Sequence, residues 1–180
     1  KLILFEDNHI IAVNKSSSEI VQGDKTGDEP LSEKIKQYIK VKYNKPGEVY
    51  LGVTHRLDRP VSGVVLFART SKALTRLNEL FRTHQLKKIY WAVVQNTPEH
   101  PEARLKHYMV RNEKQNKSYA YDKPVAEAKE AVLSYRIIAR SDRYNLLEVV
   151  LETGRHHQIR CQLTKIGCPI KGDLKYGSPR

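Results

Sequence analysis

Residues 54–68 read Thr54-His55-Arg56-Leu57-Asp58-Arg59-Pro60-Val61-Ser62-Gly63-Val64-Val65-Leu66-Phe67-Ala68. The second half, from Gly63 to Ala68, is a short apolar run with β-branched residues, which predicts a strand covered on both faces. The first half is a polar loop with one carboxylate, Asp58, between two arginines. Because rigid strands commonly present functional loops, this stretch is a candidate site, and a surface ion-pair cluster is the alternative.

The other elements are predicted outward from this run. Strands outnumber helices and most connections are short, so we expect an α+β fold with a mixed, mostly antiparallel central sheet flanked by helices and loops. The polar stretch 113–129 is expected to be an irregular surface excursion, and residues 16–30 a loop. The predicted strands cover residues 10–13, 88–94, 103–110 and a hairpin of 132–139 with 146–151; the predicted helices cover residues 31–43, a segment after Thr70 or Ser71, and 156–166.

The composition limits the domain count and the class of partner. A length of 180 residues fits one domain over 1–180, open to trimming at both ends. The net charge of +12 favours nucleic acid over an anionic membrane as the partner, because no apolar run is long enough to span a membrane and no basic amphipathic helix with a Trp/Phe face is evident. A merely basic soluble protein is the alternative.

Two cysteines, Cys161 and Cys168, are too few for the disulfide framework of a small secreted domain. This predicts a location in the reducing cytoplasm.

A second basic segment, residues 153–160, opens the last predicted helix. Arg155, His156, His157 and Arg160 add positive charge where free backbone amides already attract anions. This pattern indicates an acidic partner, and a solvated basic turn is the alternative. No metal is predicted, because adjacent histidines on a helix point apart and no carboxylate partner is evident.

Four segments of the chain together resemble one enzyme family. His55-Arg56-Leu57-Asp58, followed by Ser62-Gly63, is similar to the signature of the RluA-like family of RNA pseudouridine synthases. Residues 88–93, 154–160 and 169–177 resemble its second, third and fourth motifs, in the family's order. Residues 4–7 and 11–15 resemble its first strands, so the resemblance covers nearly the whole chain.

The resemblance implies an isomerase with the pseudouridine synthase catalytic fold. It would convert uridine to pseudouridine in a structured rRNA or tRNA, without a cofactor. Asp58 would be the nucleophile, Tyr90 would stack on the substrate and help to move a proton, and Arg160 would pair with Asp58. Arg56 would fill the space left by the flipped base, and Arg155 would bind RNA. Independently of the resemblance, a monomer is the default expectation, and no obligate protein partner is evident in the sequence.

Two other functions are considered. A non-catalytic RNA-binding module with the same fold is disfavoured because Asp58, Tyr90 and Arg160 are all present. An RNA glycosidase or nuclease is disfavoured because the motif loop supplies one carboxylate, where these enzymes use two carboxylates or several acidic metal ligands. His55 is expected to hold the loop through hydrogen bonds.

Overall fold

The computed structural model describes residues 2–179, which form two compact units, one ending at Gln85 and one beginning at Leu86. Each unit has its own antiparallel sheet and its own apolar core. Among the described residues every pairing of named strands is antiparallel. The α+β class with mostly antiparallel pairing is therefore confirmed, although the strands form two sheets. The single domain over 1–180 stays a prediction.

The elements of the first unit are β1 Ile3–Glu6, β2 Ile10–Lys15, α1 Leu31–Lys42, β3 Gly52–Val53, β4 Gly63–Ala68 and α2 Ser71–Arg82. The strands form a four-stranded sheet in the order β1-β2-β4-β3. The core of the unit contains Ile11, Val13, Leu31, Ile35 and Phe67, all buried. Helix α2 starts where predicted, because the Thr70 side chain accepts a hydrogen bond from the amide of Ala73 at 3.1 Å.

Strand β4 has the predicted bounds but not the predicted burial. Val65, Phe67 and Ala68 are buried, whereas Val64 is 57% exposed. Alternation along the strand puts Val65 and Phe67 on the core face and Val64 on the opposite face. The expectation that β4 is covered on both faces was therefore wrong at Val64.

The elements of the second unit are β5 Lys88–Val94, β6 Glu102–Asn112, β7 Lys117–Tyr121, β8 Lys129–Arg140, β9 Asn145–Leu151, α3 Gln158–Lys165 and a 3₁₀ turn at Leu174–Tyr176. The strands form a five-stranded sheet in the order β5-β9-β8-β6-β7. In the core of the unit, Leu133, Leu147 and Val149 of the sheet pack with Leu163 of helix α3.

Strand β7 corrects the expectation that residues 113–129 are irregular. It pairs with β6 in a hairpin, with Met109 opposite Ala120. Ser118 and Ala120 face inward while Tyr119 and Tyr121 are exposed. The sequence does not predict this strand because its inward residues are small and its outward residues are tyrosines. Small and large side chains alternate along it, whereas apolar and polar ones do not.

No helix in residues 2–179 has both the length and the apolar character needed to cross a membrane.

Candidate active site

A buried lysine holds the loop that carries Asp58. The Lys15 side chain, at the end of β2, is fully buried. Its Nζ donates to the carbonyl oxygens of Asp58 at 3.3 Å, Arg59 at 3.0 Å, Val61 at 2.5 Å and Ser16 at 3.1 Å. Burial lowers the pKa of Lys15, with the charges of Glu19 and Asp58 acting in the opposite direction. The carbonyl dipoles solvate the ammonium in place of water, and the ammonium in turn fixes the backbone around Asp58.

Hydrogen bonds also hold Arg59 and the backbone of Asp58 itself. Arg59 donates to Asp28 Oδ2 at 2.6 Å and to Asp24 Oδ2 at 3.4 Å, which ties the Asp58 loop to the 16–30 loop. The Asp58 carbonyl accepts from the Val61 amide at 2.9 Å and closes a turn. The Asp58 side chain is half-buried and Arg56 is exposed. One ordered loop therefore presents both residues.

Thr54 and His55 anchor the start of this loop to β4. The Thr54 hydroxyl donates to the Leu66 carbonyl at 2.6 Å, and the Leu66 amide donates to His55 Nε2 at 3.0 Å. Because Nε2 accepts this hydrogen bond, His55 is neutral with its proton on Nδ1. This bonding agrees with the structural role expected of His55.

In the second unit, Tyr90 lies in the middle of strand β5, opposite Val149 of β9. Its side chain is half-buried and packs against the core of that unit. Ile89 and Trp91 point to the other face and are exposed, at 49% and 70%. Strand alternation thus separates Tyr90 from its two neighbours and gives it a rigid support.

Arg160 lies in α3 and is clamped by Asp173. Its Nε donates to Oδ2 at 2.6 Å and its Nη2 donates to Oδ1 at 2.9 Å, a bidentate pair with side chains only 20% and 9% exposed. The guanidinium also lies 4.9 Å from the centre of the Tyr176 ring. Asp173 belongs to the fourth motif, but sequence reasoning gave it no role. The expected pairing of Arg160 with Asp58 stays a prediction.

The loop before α3 is built around the buried Gln158. Its Oε1 accepts from the Thr153 hydroxyl at 2.8 Å and from the Arg155 amide at 2.9 Å, while its Nε2 donates to the Val132 carbonyl at 3.1 Å. His157 has a left-handed backbone, with φ of 52°, so α3 begins at Gln158 rather than at His156 as predicted. Arg155 is therefore in the loop, where its Nε donates to the Glu130 carbonyl at 2.8 Å.

The two histidines bridge this loop to β7 and to the 3₁₀ turn. His156 contacts Ser118 Oγ through Nδ1 at 2.9 Å and Asn116 Oδ1 through Nε2 at 3.1 Å. His157 Nδ1 lies 3.0 Å from the Tyr176 hydroxyl, and burial raises the pKa of that tyrosine. Among the described residues no cluster of three or more potential metal ligands occurs.

The predicted site residues therefore divide between the two units. Arg56 and Asp58 share a loop of the first unit, and Tyr90, Arg155 and Arg160 belong to the second. Lys15 and Asp173 are the supporting residues that sequence reasoning missed. The sequence shows a lysine at the end of a strand and an aspartate in the fourth motif. It does not show that the lysine bonds the carbonyls of the Asp58 loop or that the aspartate bonds Arg160.

Comparison with known proteins identifies the family. The family model described as RNA pseudouridylate synthase matches residues 9–165. The chain is 31% identical to tRNA pseudouridine synthase C of Vibrio cholerae serotype O1 over 97% of this chain and 73% of that protein. It is 32% identical to ribosomal large subunit pseudouridine synthase C of Buchnera aphidicola subsp. Baizongia pistaciae over 98% of this chain and 54% of that protein.

Among solved structures, human RNA Pseudouridylate Synthase Domain Containing 4 matches with a TM-score of 0.83 and 27% identity, over 97% of this chain and 68% of that one. The chain spans about half the length of most of the curated relatives that it matches. The motifs at 55–63, 88–93 and 154–160 all fall inside the matched range. The chain belongs to the RNA pseudouridylate synthase family, with the RluA-like character that its motifs indicate.

Proposed function

We propose that this protein isomerises specific uridines of a structured RNA to pseudouridine, with Asp58 as the nucleophile and without a cofactor. The observation that carries the proposal is the loop of Asp58. In a chain of this family, a single half-buried carboxylate sits on a backbone that the buried Lys15 holds through the carbonyls of Asp58, Arg59 and Val61. Such rigidity suits a group that must meet the sugar in one geometry.

The reaction breaks the N1–C1′ bond of uridine and joins C5 to C1′, so nothing is oxidised and no group enters from outside. Asp58 would supply the anion or nucleophile beside C1′. Tyr90 would stack on the uracil or ribose and help to move the proton from C5. Both roles are carried over from the family at the residues that match its motifs.

Arg160 would keep the nucleophile ionised and oriented. Its pair with Asp173 uses two of the five N–H donors of the guanidinium, and it sets the direction in which the rest of the group points. A cation held in this way favours the charged form of a nearby carboxylate. Asp173 is thus a positioning residue, which acts on the reaction through Arg160.

The substrate class is tRNA or large-subunit rRNA, the two classes that the names of the relatives contain. The charge of +12 supports binding to the phosphate backbone, and Arg155 would be one contact. Duplex RNA hides its bases, so the target uridine must flip out, and Arg56 would take its place. Action as a monomer in the cytoplasm, where the buried thiols of Cys161 and Cys168 would stay reduced, completes the proposal.

Tritium release from RNA labelled at C5 of uridine tests this function. We expect release from tRNA or rRNA of cells that lack the gene, together with pseudouridine in the product. Asp58→Asn should abolish release while RNA binding stays within about twofold of wild type, because the uncharged amide removes the nucleophile and keeps the shape. Asp142→Asn, at an exposed position of the β8–β9 turn, is the matched control.

Two outcomes would favour the other functions. Binding without release on all RNA tested would indicate a non-catalytic RNA-binding module. Free uracil or chain cleavage would indicate a glycosidase or nuclease.

A further inference from the structure

The second unit contains a pocket of about 430 Å³ between the β6–β7 hairpin, the start of β8 and the loop before α3. Three cations, Arg111, Lys129 and Arg155, line it, together with the carboxylates Glu113 and Glu127. Tyr90 and Arg160 are not among the described residues of its wall. The pocket is therefore distinct from the position of these two proposed catalytic residues, although its wall includes Arg155 of the third motif.

The three cations of this pocket make no direct ion pair with the described side chains. Within residues 2–179, Arg111 and Lys129 make no ion pair or side-chain hydrogen bond, and Arg155 uses only its Nε, on the Glu130 carbonyl at 2.8 Å. Arg104 and Arg136 of the same sheet, in contrast, are paired, with Glu152 at 2.7 Å and with Glu148 at 2.9 Å. The three cations of the pocket outnumber the two carboxylates of the same wall, so the pocket has an excess positive charge that an anion would balance.

The size and the lining of the pocket select the kind of anion. Its volume falls in the range of roughly 300–1,000 Å³ that small-molecule pockets occupy, so it has room for a nucleotide rather than only for an ion. Met109 and Val110 give the wall an apolar part against which a ribose or base can lie. Glu113 and Glu127 would repel a second phosphate but accept hydrogen bonds from a ribose hydroxyl or a base amino group.

A series of direct contacts joins the pocket to Arg160. His156 of the pocket wall stacks on His157 with ring centres 3.7 Å apart, and His157 Nδ1 lies 3.0 Å from the Tyr176 hydroxyl. The guanidinium of Arg160 lies 4.9 Å from the centre of the Tyr176 ring. A ligand in the pocket would thus sit on the same rigid assembly that supports Arg160.

We propose that this pocket binds one nucleotide of the substrate RNA other than the target uridine, with its phosphate on Arg111, Lys129 and Arg155. The inference rests on the proposed function and adds to it a second contact that fixes the RNA before the target base is flipped. Because the ligand is part of the same RNA, its binding contributes to affinity and to register rather than to the chemical step.

The double variant Arg111→Gln/Lys129→Gln tests this pocket, with Arg140→Gln/Arg143→Gln as the matched control. The control removes two exposed cations from the β8–β9 hairpin that, within residues 2–179, also make no ion pair. The probes are tRNA and rRNA of cells that lack the gene, and then a transcript of the RNA that the wild-type protein binds most tightly. The melting temperature of both variants should match that of wild type, since neither variant removes an ion pair or a side-chain hydrogen bond among residues 2–179.

We expect the pocket variant to bind the transcript about tenfold more weakly at 0.1 M salt. The slope of the logarithm of its affinity for RNA against the logarithm of the salt concentration should be shallower by about 1 than that of wild type. Its kcat at saturating RNA should stay within about twofold of the wild-type value. Ethylation of one phosphate of the RNA, outside the target nucleotide, should weaken binding to the wild-type protein and to the control variant. The same ethylation should have no effect on binding to the pocket variant.

Three outcomes separate the two proposals. Turnover by wild type, with a pocket variant that behaves like the control, would overturn the pocket and leave the proposed function intact. Loss of affinity without any position-specific phosphate effect would also overturn it, since it would indicate a general charge effect. Absence of turnover on every RNA, with the phosphate effect present, would overturn the proposed function and leave the pocket as an RNA subsite.

Discussion

Asp173 holds the guanidinium of Arg160 in a bidentate pair, with distances of 2.6 Å from Nε to Oδ2 and 2.9 Å from Nη2 to Oδ1. Two parallel hydrogen bonds fix the plane of the guanidinium as well as its position. Neither residue can turn without breaking both bonds. The orientation of a proposed catalytic residue therefore depends on a residue of the fourth motif.

Asp173→Asn should impair catalysis more than RNA binding. The amide keeps one oxygen acceptor but loses the charge and the second acceptor, so Arg160 can rotate. A misplacement of this kind costs about ten- to a hundredfold in kcat, while KM should change little. Single-turnover kinetics measures the loss, and Asp173→Glu, which keeps the carboxylate, should restore part of it. A kcat equal to that of Asp142→Asn would show that Asp173 does not position Arg160.

Lys15→Met should destabilise the first unit and loosen the Asp58 loop. It removes the hydrogen bonds of Nζ to the carbonyls of Asp58, Arg59 and Val61, and a hydrogen bond from a charged donor contributes about 1.5–3 kcal/mol. The carbonyls of Asp58 and Arg59 keep amide donors, so the loss is smaller than the sum of the three bonds. We expect a loss of roughly 2–4 kcal/mol in the free energy of unfolding, measured by urea titration. Lys45→Met, at an exposed position, is the control and should change this free energy little.

Hydrogen exchange distinguishes a loop effect from general destabilisation in Lys15→Met. The amides of Ser18 and Val61 donate to the carbonyls of Arg59 and Asp58, so they report on the loop directly. They should exchange faster by a larger factor than amides in the middle of β2 or β4. Uniform acceleration across the unit would contradict a specific role of Lys15 in the loop.

Sequence reasoning predicted those parts of the structure that are encoded locally. The apolar run of β4, the Thr70 cap of α2 and the β8–β9 hairpin each depend on neighbouring residues, and the structure has all three. Strand β7 was missed because its inward residues, Ser118 and Ala120, give no hydrophobic alternation.

The supporting residues of the site could not be predicted, because their partners are remote in sequence. Lys15 reaches carbonyls 43 to 46 positions away, and Asp173 reaches Arg160 across the turn that follows α3. A lone lysine at the end of a strand usually faces solvent. Only the fold shows that Lys15 is buried, and only then does its role follow.

The stability of the first unit should depend on the ionisation of Glu6. Burial alone would raise the pKa of Glu6, but hydrogen bonds from Lys42, Tyr43 and Tyr38 lower it overall below its ordinary value of 4.5. Because the folded pKa lies below the unfolded one, the carboxylate contributes stability above about pH 4.5. That contribution is lost as the pH falls through the folded pKa.

Glu6→Gln should therefore be less stable than wild type at pH 7, and the difference should shrink as the pH falls below 4.5. Urea titrations between pH 3 and pH 7 measure both proteins. Glu48→Gln, at an exposed position, should follow the wild-type curve throughout. A gap between Glu6→Gln and wild type that widens toward low pH would contradict the lowered pKa.

Arg56→Ala should affect structured RNA more than unstructured RNA. Arg56 is exposed on the ordered Asp58 loop, and we propose that it fills the space left by the flipped uridine. A base in a stack or pair costs a few kcal/mol to extrude, whereas a base in a short single strand is already accessible. The variant should lose about tenfold in kcat/KM on the structured transcript and clearly less on a short single-stranded oligonucleotide with the same target.

The comparison of the two substrates distinguishes base replacement from simple charge. If Arg56 only contacted a phosphate, its removal would weaken both substrates alike and make their salt dependence shallower. Arg143→Ala, which removes an exposed charge from the β8–β9 turn, controls for net charge and should leave the ratio of the two kcat/KM values unchanged. An equal loss on both substrates would make Arg56 a backbone contact, and the extrusion of the target base would then depend on other residues of the loop.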